Sequence, residues 1–176
     1  MVSPWSSRLF CRKLVVVRAG GINIEAGTLF LAVVEPSDTA FGTPVVVSQP
    51  RLAPHQHLVG AEALHDFTER VRQELDAAAV RAVGLVETRA FYNLQYKHVY
   101  PRVTAMCAVM AACTALGVGY ETLKTETIGA AVGCPAKQLK TVDLAKFAFA
   151  SPPTYWTTGL AEAYAAAATV IVRNGA

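Results

Sequence analysis

Charged residues are scarce in this sequence, and their scarcity excludes one class of protein at once. Only 16% of the 176 residues are charged, whereas 53% are hydrophobic. Such a chain can bury a sizeable core, which excludes an intrinsically disordered protein. The mean hydropathy of +0.33 indicates a surface with few charges, part of which could pack against a partner, so we expect a homo-oligomer. The net charge of +3 permits a phosphate-rich partner without requiring one.

Several motifs that would define other functions are missing. The four cysteines have no CxxC spacing, and Cys107 and Cys113 fall within a helical apolar pattern, so we interpret them as reduced, packed side chains. No apolar run reaches the length of a membrane span, and the first residues lack a secretory signal. We therefore expect a cytoplasmic protein without a membrane partner. No Gly-rich phosphate loop follows the first strand beyond Gly20-Gly21, which disfavours an actin-like nucleotide-binding protein.

The first third of the chain is rich in strand-forming residues. Residues 1–12 are predicted to be a flexible lead-in, and 13–176 a single domain. Consecutive extended runs separated by short turns predict an antiparallel meander of three strands. The three strands are Lys13 to Arg18, Thr28 to Glu35, and Val45 to Ser48, and a short extended piece, Ile22 to Glu25, follows the first strand after a break at Gly20-Gly21.

Helical periodicity begins near Gly60 and alternates with strands from there on. An amphipathic helix from Gly60 to about Val80 precedes an apolar strand, Val83 to Val86, which is predicted to be buried on both faces. This order predicts an α/β fold with the meander at one side of the sheet. The later elements are a central buried helix at Pro101 to Leu116, a strand at Val118 to Leu123, a less regular basic segment at Lys124 to Lys140, a helix near Lys137 to Phe149, and an Ala-rich helix at about Tyr155 to Val172.

Glu87 is the first candidate site residue, because it directly follows the buried strand. In open α/β sheets, ligands gather at the carboxyl ends of the strands, so an acidic side chain at such an end is well placed for chemistry. The alternative is a solvated glutamate without a function.

The segment from Gly84 to Leu139 resembles the RuvC-type Holliday-junction resolvases in the order of its motifs. The closing helix also resembles that family's Asp-x-x-Asp-Ala-x-Ala helix, and together the resemblance covers about the last two thirds of the chain. It implies a ribonuclease H-like fold, with a mixed five-stranded sheet and helices on both faces. The matching pieces are Glu87-Thr-Arg-Ala-Phe91-Tyr-Asn93, Ala105 to Leu116, Tyr120 to Ile128, Gly133-Cys-Pro-Ala-Lys137-Gln138, and Gly159-Leu-Ala-Glu162-Ala-Tyr-Ala165.

The resemblance implies a metal-dependent endonuclease that cuts branched DNA with Mg²⁺ or Mn²⁺. It also implies a homodimer, because a two-fold protein can cut the two strands of a junction symmetrically. Glu87 and Glu162 would then be catalytic residues and metal ligands, and Lys137 would lie near the scissile phosphate. The sequence departs from the family at Asn23, where resolvases carry the first metal-binding Asp of Gly-Ile-Asp-Pro-Gly. Asn23 still matches that catalytic and metal-binding position, and Glu25 shares its strand face and could supply the missing charge. Gly159 stands where the closing helix has its first Asp.

Cations alternate with aromatic side chains directly after Glu87, a mixture that suits phosphate contacts and base stacking. Two functions therefore remain open: a structure-selective endonuclease, and a catalytically degenerate relative that keeps a nucleic-acid-binding or protein-interaction surface. Acidic oxygens converging in one pocket would favour the first, and a basic group between them the second. The predicted nucleic-acid contacts are Arg89, Tyr92, Asn93, Lys97, Arg102, Lys124 and Lys140.

Overall fold

The computed structural model describes residues 17–87 and 96–174 of the chain. Strands dominate the first part and helices the second, as the sequence predicted. Three short 3-10 helices, Ala136–Thr141, Leu144–Phe147 and Trp156–Thr158, connect the later elements. The strands are β1 (Arg18–Glu25), β2 (Thr28–Glu35), β3 (Thr43–Val45), β4 (Arg51–Leu52), β5 (Val80–Val86) and β6 (Gly119–Leu123), and the α-helices are α1 (Gly60–Ala77), α2 (Tyr96–Leu116), α3 (Thr125–Val132) and α4 (Leu160–Asn174).

The strands form one mixed sheet in the order β3-β2-β1-β5-β6. β1, β2 and β3 are antiparallel neighbours, whereas β5 runs parallel to both β1 and β6. The two-residue strand β4, which the sequence did not predict, adds a sixth member by pairing with β2. The buried residues form two clusters, one containing the α4 side chains and the other those of α1 and α2. The predicted α/β fold, a meander joined to two parallel strands with helices on both faces, is confirmed.

The predicted break at Gly20-Gly21 is wrong, because β1 continues through both glycines and pairs with β2 and β5 there. Glycine is required at position 21 because the helix α4 packs closely against the strand there. A Cβ atom on Gly21 would lie 1.8 Å from the carbonyl oxygen of Ala163 in α4. Gly21 therefore lets α4 approach the sheet, rather than ending a strand. Residues 13–16 of the predicted first strand lie outside the described residues.

Two further predictions need correction. The third strand was predicted at Val45 to Ser48, but β3 is Thr43–Val45, and Val46 is 95% exposed. The segment from Lys124 holds a regular helix, α3, whereas the helix predicted near Lys137 to Phe149 is replaced by two 3-10 helices. Its buried residues explain the path, because Leu139 and Phe147 both contribute to the α4-side core and the chain bends to bury them.

The helix α2 is not the central buried helix that its composition predicted. Ala105, Ala108 and Val109 are buried, but Val103 and Met110 are 49% and 39% exposed. By length and composition, Val99–Leu116 is also apolar enough to cross a membrane, and only 28% of that window is buried. The expectation that no run is long enough to span a membrane is therefore wrong by that measure.

The helix buried nearly all round is α4. Its residues from Leu160 to Val170 are buried, except for the half-buried Glu162. Small side chains make this possible, because the alanines of α4 lie directly over Gly21 and Gly84 of the sheet. The close approach brings the first turn of α4, with Glu162, beside the end of β1.

Candidate functional site

A cleft of about 240 Å³ lies at the carboxyl ends of β1 and β5, the edge of the sheet where ligands are expected in this class of fold. All five residues that the sequence marked as catalytic or metal-binding line it together, which joins parts of the chain up to 139 residues apart. Their chemical roles stay predictions. The lining residues are Asn23, Glu25, Val86, Glu87, Arg102, Thr125, Ala136, Lys137, Lys140 and Glu162.

Asn23 is buried on β1, with 3% of its surface exposed, and its amide nitrogen points at oxygen atoms. Nδ2 donates a hydrogen bond to Oε2 of Glu162 at 2.7 Å and to the carbonyl oxygen of Gly159 at 3.4 Å. Two acceptors on the same side fix the orientation of the amide, since its oxygen would be repelled there. Asn23 therefore acts toward Glu162 as a hydrogen-bond donor, not as an oxygen ligand that shares a cation with it.

Gly159 occupies a position that has no room for an acidic side chain. A Cβ atom on it would lie 2.7 Å from the Phe30 ring and 3.1 Å from Nδ2 of Asn23. Phe30 is the cross-strand partner of Asn23 and is buried. The aspartate that the resemblance implies at this point is thus excluded by the packing of the ring against the helix start.

Glu25 lines the cleft on the same face of β1 as Asn23, as strand parity predicted, but its carboxylate is already paired. Lys140 Nζ lies 2.9 Å from Oε1 of Glu25. The hydrogen bond to Glu25 raises the pKa of Lys140 above its usual range. Lys140, predicted as a nucleic-acid contact, is in this structure an ion-pair partner within the cleft.

Arg102 reaches the cleft from α2 on the other side of the sheet. Arg102 as a whole is half-buried, and its Nε is buried with no hydrogen-bond partner among the described residues. Burial lowers the pKa of Arg102, while attraction from Glu25 and Glu162 acts in the opposite direction. A positive charge therefore lies close to both carboxylates without a hydrogen bond to either in the described part of the chain.

Glu87 and Lys137 are exposed members of the cleft, as is Lys140. The backbone N–H of Glu87 donates to the carbonyl oxygen of Leu123 at 2.8 Å, which fixes its position just beyond β5. Within residues 17–87 and 96–174, no hydrogen bond or ion pair engages the Glu87 carboxylate. Lys137 lies in the first turn of the 3-10 helix Ala136–Thr141, at the cleft mouth.

The residues present do not fit the two-metal centre that the resemblance implies. Two divalent ions need several carboxylates around them, and Mg²⁺ requires hard oxygen ligands. The described lining holds three carboxylates (Glu25, Glu87, Glu162) and three cations (Arg102, Lys137, Lys140), so its formal charges cancel. No group of three or more His, Cys, Asp or Glu side chains among the described residues is arranged to hold a metal ion.

The remaining predicted contacts divide into two groups. Arg89, Tyr92 and Asn93 lie outside the described residues. Lys97 and Lys124 are exposed but do not line the cleft.

The lining residue that the sequence analysis did not identify is Thr125, which is buried in the cleft wall two residues after β6. The strand-end rule that selected Glu87 would also have found it.

Comparison with known proteins supports the fold through structure and not through sequence. No protein-family model and no curated protein sequence matches the chain. Thermus thermophilus RuvC, solved alone and in complex with a Holliday junction substrate, has a TM-score of 0.67 at 20% identity over 90% of this chain, covering 97% and 95% of the respective solved chains. The yeast mitochondrial Holliday junction resolvase Ydc2 has a TM-score of 0.59 at 8% identity, over 91% of this chain and 80% of its own. At these identities the likeness establishes the ribonuclease H-like fold of the RuvC type.

Proposed function

We propose that this chain binds branched DNA at the cleft, and that it does so without a divalent metal ion and without cutting the strand by a two-metal mechanism. The observation that carries the proposal is the charge balance of the cleft, in which Arg102, Lys137 and Lys140 offset three carboxylates. The proposal selects the catalytically degenerate of the two functions that the sequence left open.

A phosphate group can approach carboxylates only where positive charge compensates them, since unscreened like charges repel strongly at short range. In a metal centre the bound cations supply this compensation. Here the chain supplies it through its own side chains, with Lys140 2.9 Å from Glu25. Lys137 is exposed at the mouth, where a lysine ammonium can serve as a point charge for phosphate.

Branched DNA is the favoured ligand because of the proteins that share this fold. One of the similar structures is RuvC bound to a Holliday junction substrate, and another is a Holliday junction resolvase. This chain aligns with both over 90% or more of its length. The exposed Lys97 and Lys124 would extend the contact with the phosphate backbone beyond the cleft.

The protein is also proposed to act as a homodimer that pairs through α2. The partly or fully exposed residues Tyr96, Tyr100, Val103, Cys107 and Met110, here called the α2 stripe, recur at alternating spacings of four and three. This is the spacing of a helix–helix seam, and the stripe is about 22 Å long at 1.5 Å per residue. It contains no charged residue, so two copies can meet there without like-charge repulsion.

The experiment compares a fluorescent four-way junction with a duplex of the same length and composition. Binding is measured by anisotropy in EDTA and in Mg²⁺, and strand cleavage is followed on denaturing gels with Mg²⁺ and Mn²⁺. We expect the junction to bind more tightly than the duplex, equally well in EDTA, and to remain intact. Binding that requires the metal would contradict the proposal.

Lys137→Gln tests whether the cleft is the contact surface. It should weaken junction binding and reduce the slope of log affinity against log salt by about one, as for the loss of one phosphate contact. Arg81→Gln is the matched control, because Arg81 carries the same positive charge as Lys137 but is exposed on β5 near the end of the strand opposite Glu87. Equal losses in both variants would indicate only a general effect of net charge.

Metal-dependent cutting is the second candidate, favoured by the convergence of Glu25, Glu87 and Glu162 in one cleft. It predicts junction cleavage in Mn²⁺ that Glu87→Gln abolishes. If the wild type cuts and this variant does not, the endonuclease function replaces the binding function.

A further inference from the structure

Arg102 stands out in the cleft because its burial is costly. Nε is buried without a hydrogen-bond partner among the described residues, and a buried donor left unpaired costs free energy. Desolvation is the largest influence on its pKa, and it acts against the charged form. Glu25 from β1 and Glu162 from α4 line the same cleft as Arg102, and their negative charges act on its pKa in the opposite direction to burial.

We propose that Arg102 is the resident counter-ion of the cleft: its guanidinium takes the place beside Glu25 and Glu162 that a divalent cation would take, and so excludes metal ions. The inference concerns the same cleft as the proposed function, but it does not depend on any DNA ligand. A cation supplied by α2 is permanent, whereas a bound metal ion exchanges with solvent.

The geometry of Asn23 is consistent with this assignment. With Nδ2 donating to Glu162 at 2.7 Å, the two side chains form a stable pair without a metal ion. An aspartate at this position would bring a second carboxylate within hydrogen-bond distance of the first, and two carboxylates that close need a nearby cation or a shared proton. Asn23 and Arg102 together thus remove the need for a metal ion, one by removing a charge and the other by supplying one.

The inference predicts that metal binding can be restored by substitution. Arg102→Gln removes the cation, and the double variant Asn23→Asp/Arg102→Gln also adds a carboxylate. Thermal unfolding in EDTA, MgCl₂ and MnCl₂ and calorimetric titration with MnCl₂ are measured for the wild type and both variants. Arg81→Gln is the control for loss of charge.

We expect the wild type and Arg81→Gln to show no change in Tm with either metal. Arg102→Gln should unfold about 3–6 °C lower in EDTA and recover part of this loss in Mn²⁺. The double variant should bind Mn²⁺ roughly tenfold or more tightly than Arg102→Gln, because ligand charge tunes divalent affinity over decades. Mn²⁺ binding by the wild type, or a double variant as insensitive as the wild type, overturns the inference.

The variant Arg102→Gln/Glu162→Gln keeps the test decisive if Arg102→Gln does not fold. Removing a carboxylate together with the cation should raise Tm above that of Arg102→Gln and abolish the Mn²⁺ response. If the double variant is as unstable as the single one, Arg102 contributes only the packing of its aliphatic stem, and the counter-ion assignment fails. Because no DNA is present, these outcomes are independent of whether junction binding is observed.

Discussion

The helices α2 and α4 are both apolar, and they pack on opposite faces of the same sheet, yet they bury their side chains in different ways. From Leu160 to Val170, α4 is buried apart from Glu162, whereas α2 leaves Val103 and Met110 exposed. The difference arises from the strands beneath them. Glycine in β1 and β5 allows α4 to approach closely. Hydrophobic content alone therefore does not reveal which helix is central; the small residues that face it do.

Each of these helices contributes one charged group to the cleft. Glu162 comes from the first turn of α4, and Arg102 from α2. The cleft thus forms at the end of the sheet where helices from both faces reach past the strands. Its negative and positive charges have separate structural origins, so each can be changed without removing the other.

Gly21→Ala should break the close packing of α4 and have the largest effect of the changes considered. The new Cβ would lie 1.8 Å from Ala163 O and 2.5 Å from Ala167 N, both backbone atoms that cannot turn aside. We expect a loss of about 3 kcal/mol or more in the free energy of unfolding, measured by urea denaturation. Gly119→Ala is the control, because nothing lies within 4 Å of its Cβ position. Similar losses in both variants would show that α4 does not depend on Gly21.

Much of the fold could be predicted because its signals are local. The strand Val83 to Val86 was predicted from an uninterrupted apolar run, and the structure extends it to Val80–Val86. The amphipathic helix beginning at Gly60 was predicted from its periodicity and is observed. The prediction for Gly20-Gly21 was wrong because glycine within a strand is usually taken as a sign of a break. The helix that requires glycine here lies more than 130 residues away in sequence, so no local pattern indicates it.

The sequence could predict which residues line the candidate site, but not which of their side chains pair with one another. Strand ends and motif order predicted that Glu87, Glu162 and Asn23 belong to one site, and all three line the cleft. The pair of Glu25 with Lys140 depends on the path of the 3-10 helix Ala136–Thr141, which no periodicity indicates. Arg102 was predicted to contact DNA from the surface, because its burial depends on how α2 packs against the sheet.

Changes in the α2 stripe test the other half of the comparison between α2 and α4, namely the exposed face of α2. The double variant Val103→Glu/Met110→Glu should dissociate the proposed homodimer, weakening it roughly a hundredfold or more, since charge would be buried without a partner. Analytical ultracentrifugation measures the association, and thermal unfolding checks that the monomer remains folded. Val46→Glu is the control, because Val46 is 95% exposed and lies outside the stripe.

A wild type that stays monomeric at high micromolar concentration would contradict pairing through α2. Flotation with phospholipid vesicles separates a second outcome, since Val99–Leu116 also has the length and composition of a membrane-crossing helix. Flotation of the wild type that Val103→Glu/Met110→Glu abolishes would assign the stripe to a lipid surface instead of to a second copy.

The smallest expected effect concerns the ion pair on the β1 side of the cleft. The hydrogen bond to Glu25 raises the pKa of Lys140, with attraction from Glu25 and Glu162 acting in the same direction. A base whose pKa is raised by folding stabilises the fold below its unfolded value and loses that contribution as the pH rises through the folded value. The difference in unfolding free energy between the wild type and Lys140→Gln should therefore be constant from pH 7 to about 10 and shrink above it. Because the Lys140 side chain is 50% exposed, we expect only a few tenths of a kcal/mol. A difference that grows with alkaline pH would mean that Lys140 is more stabilising when neutral, and that the cations of this cleft do not compensate its carboxylates.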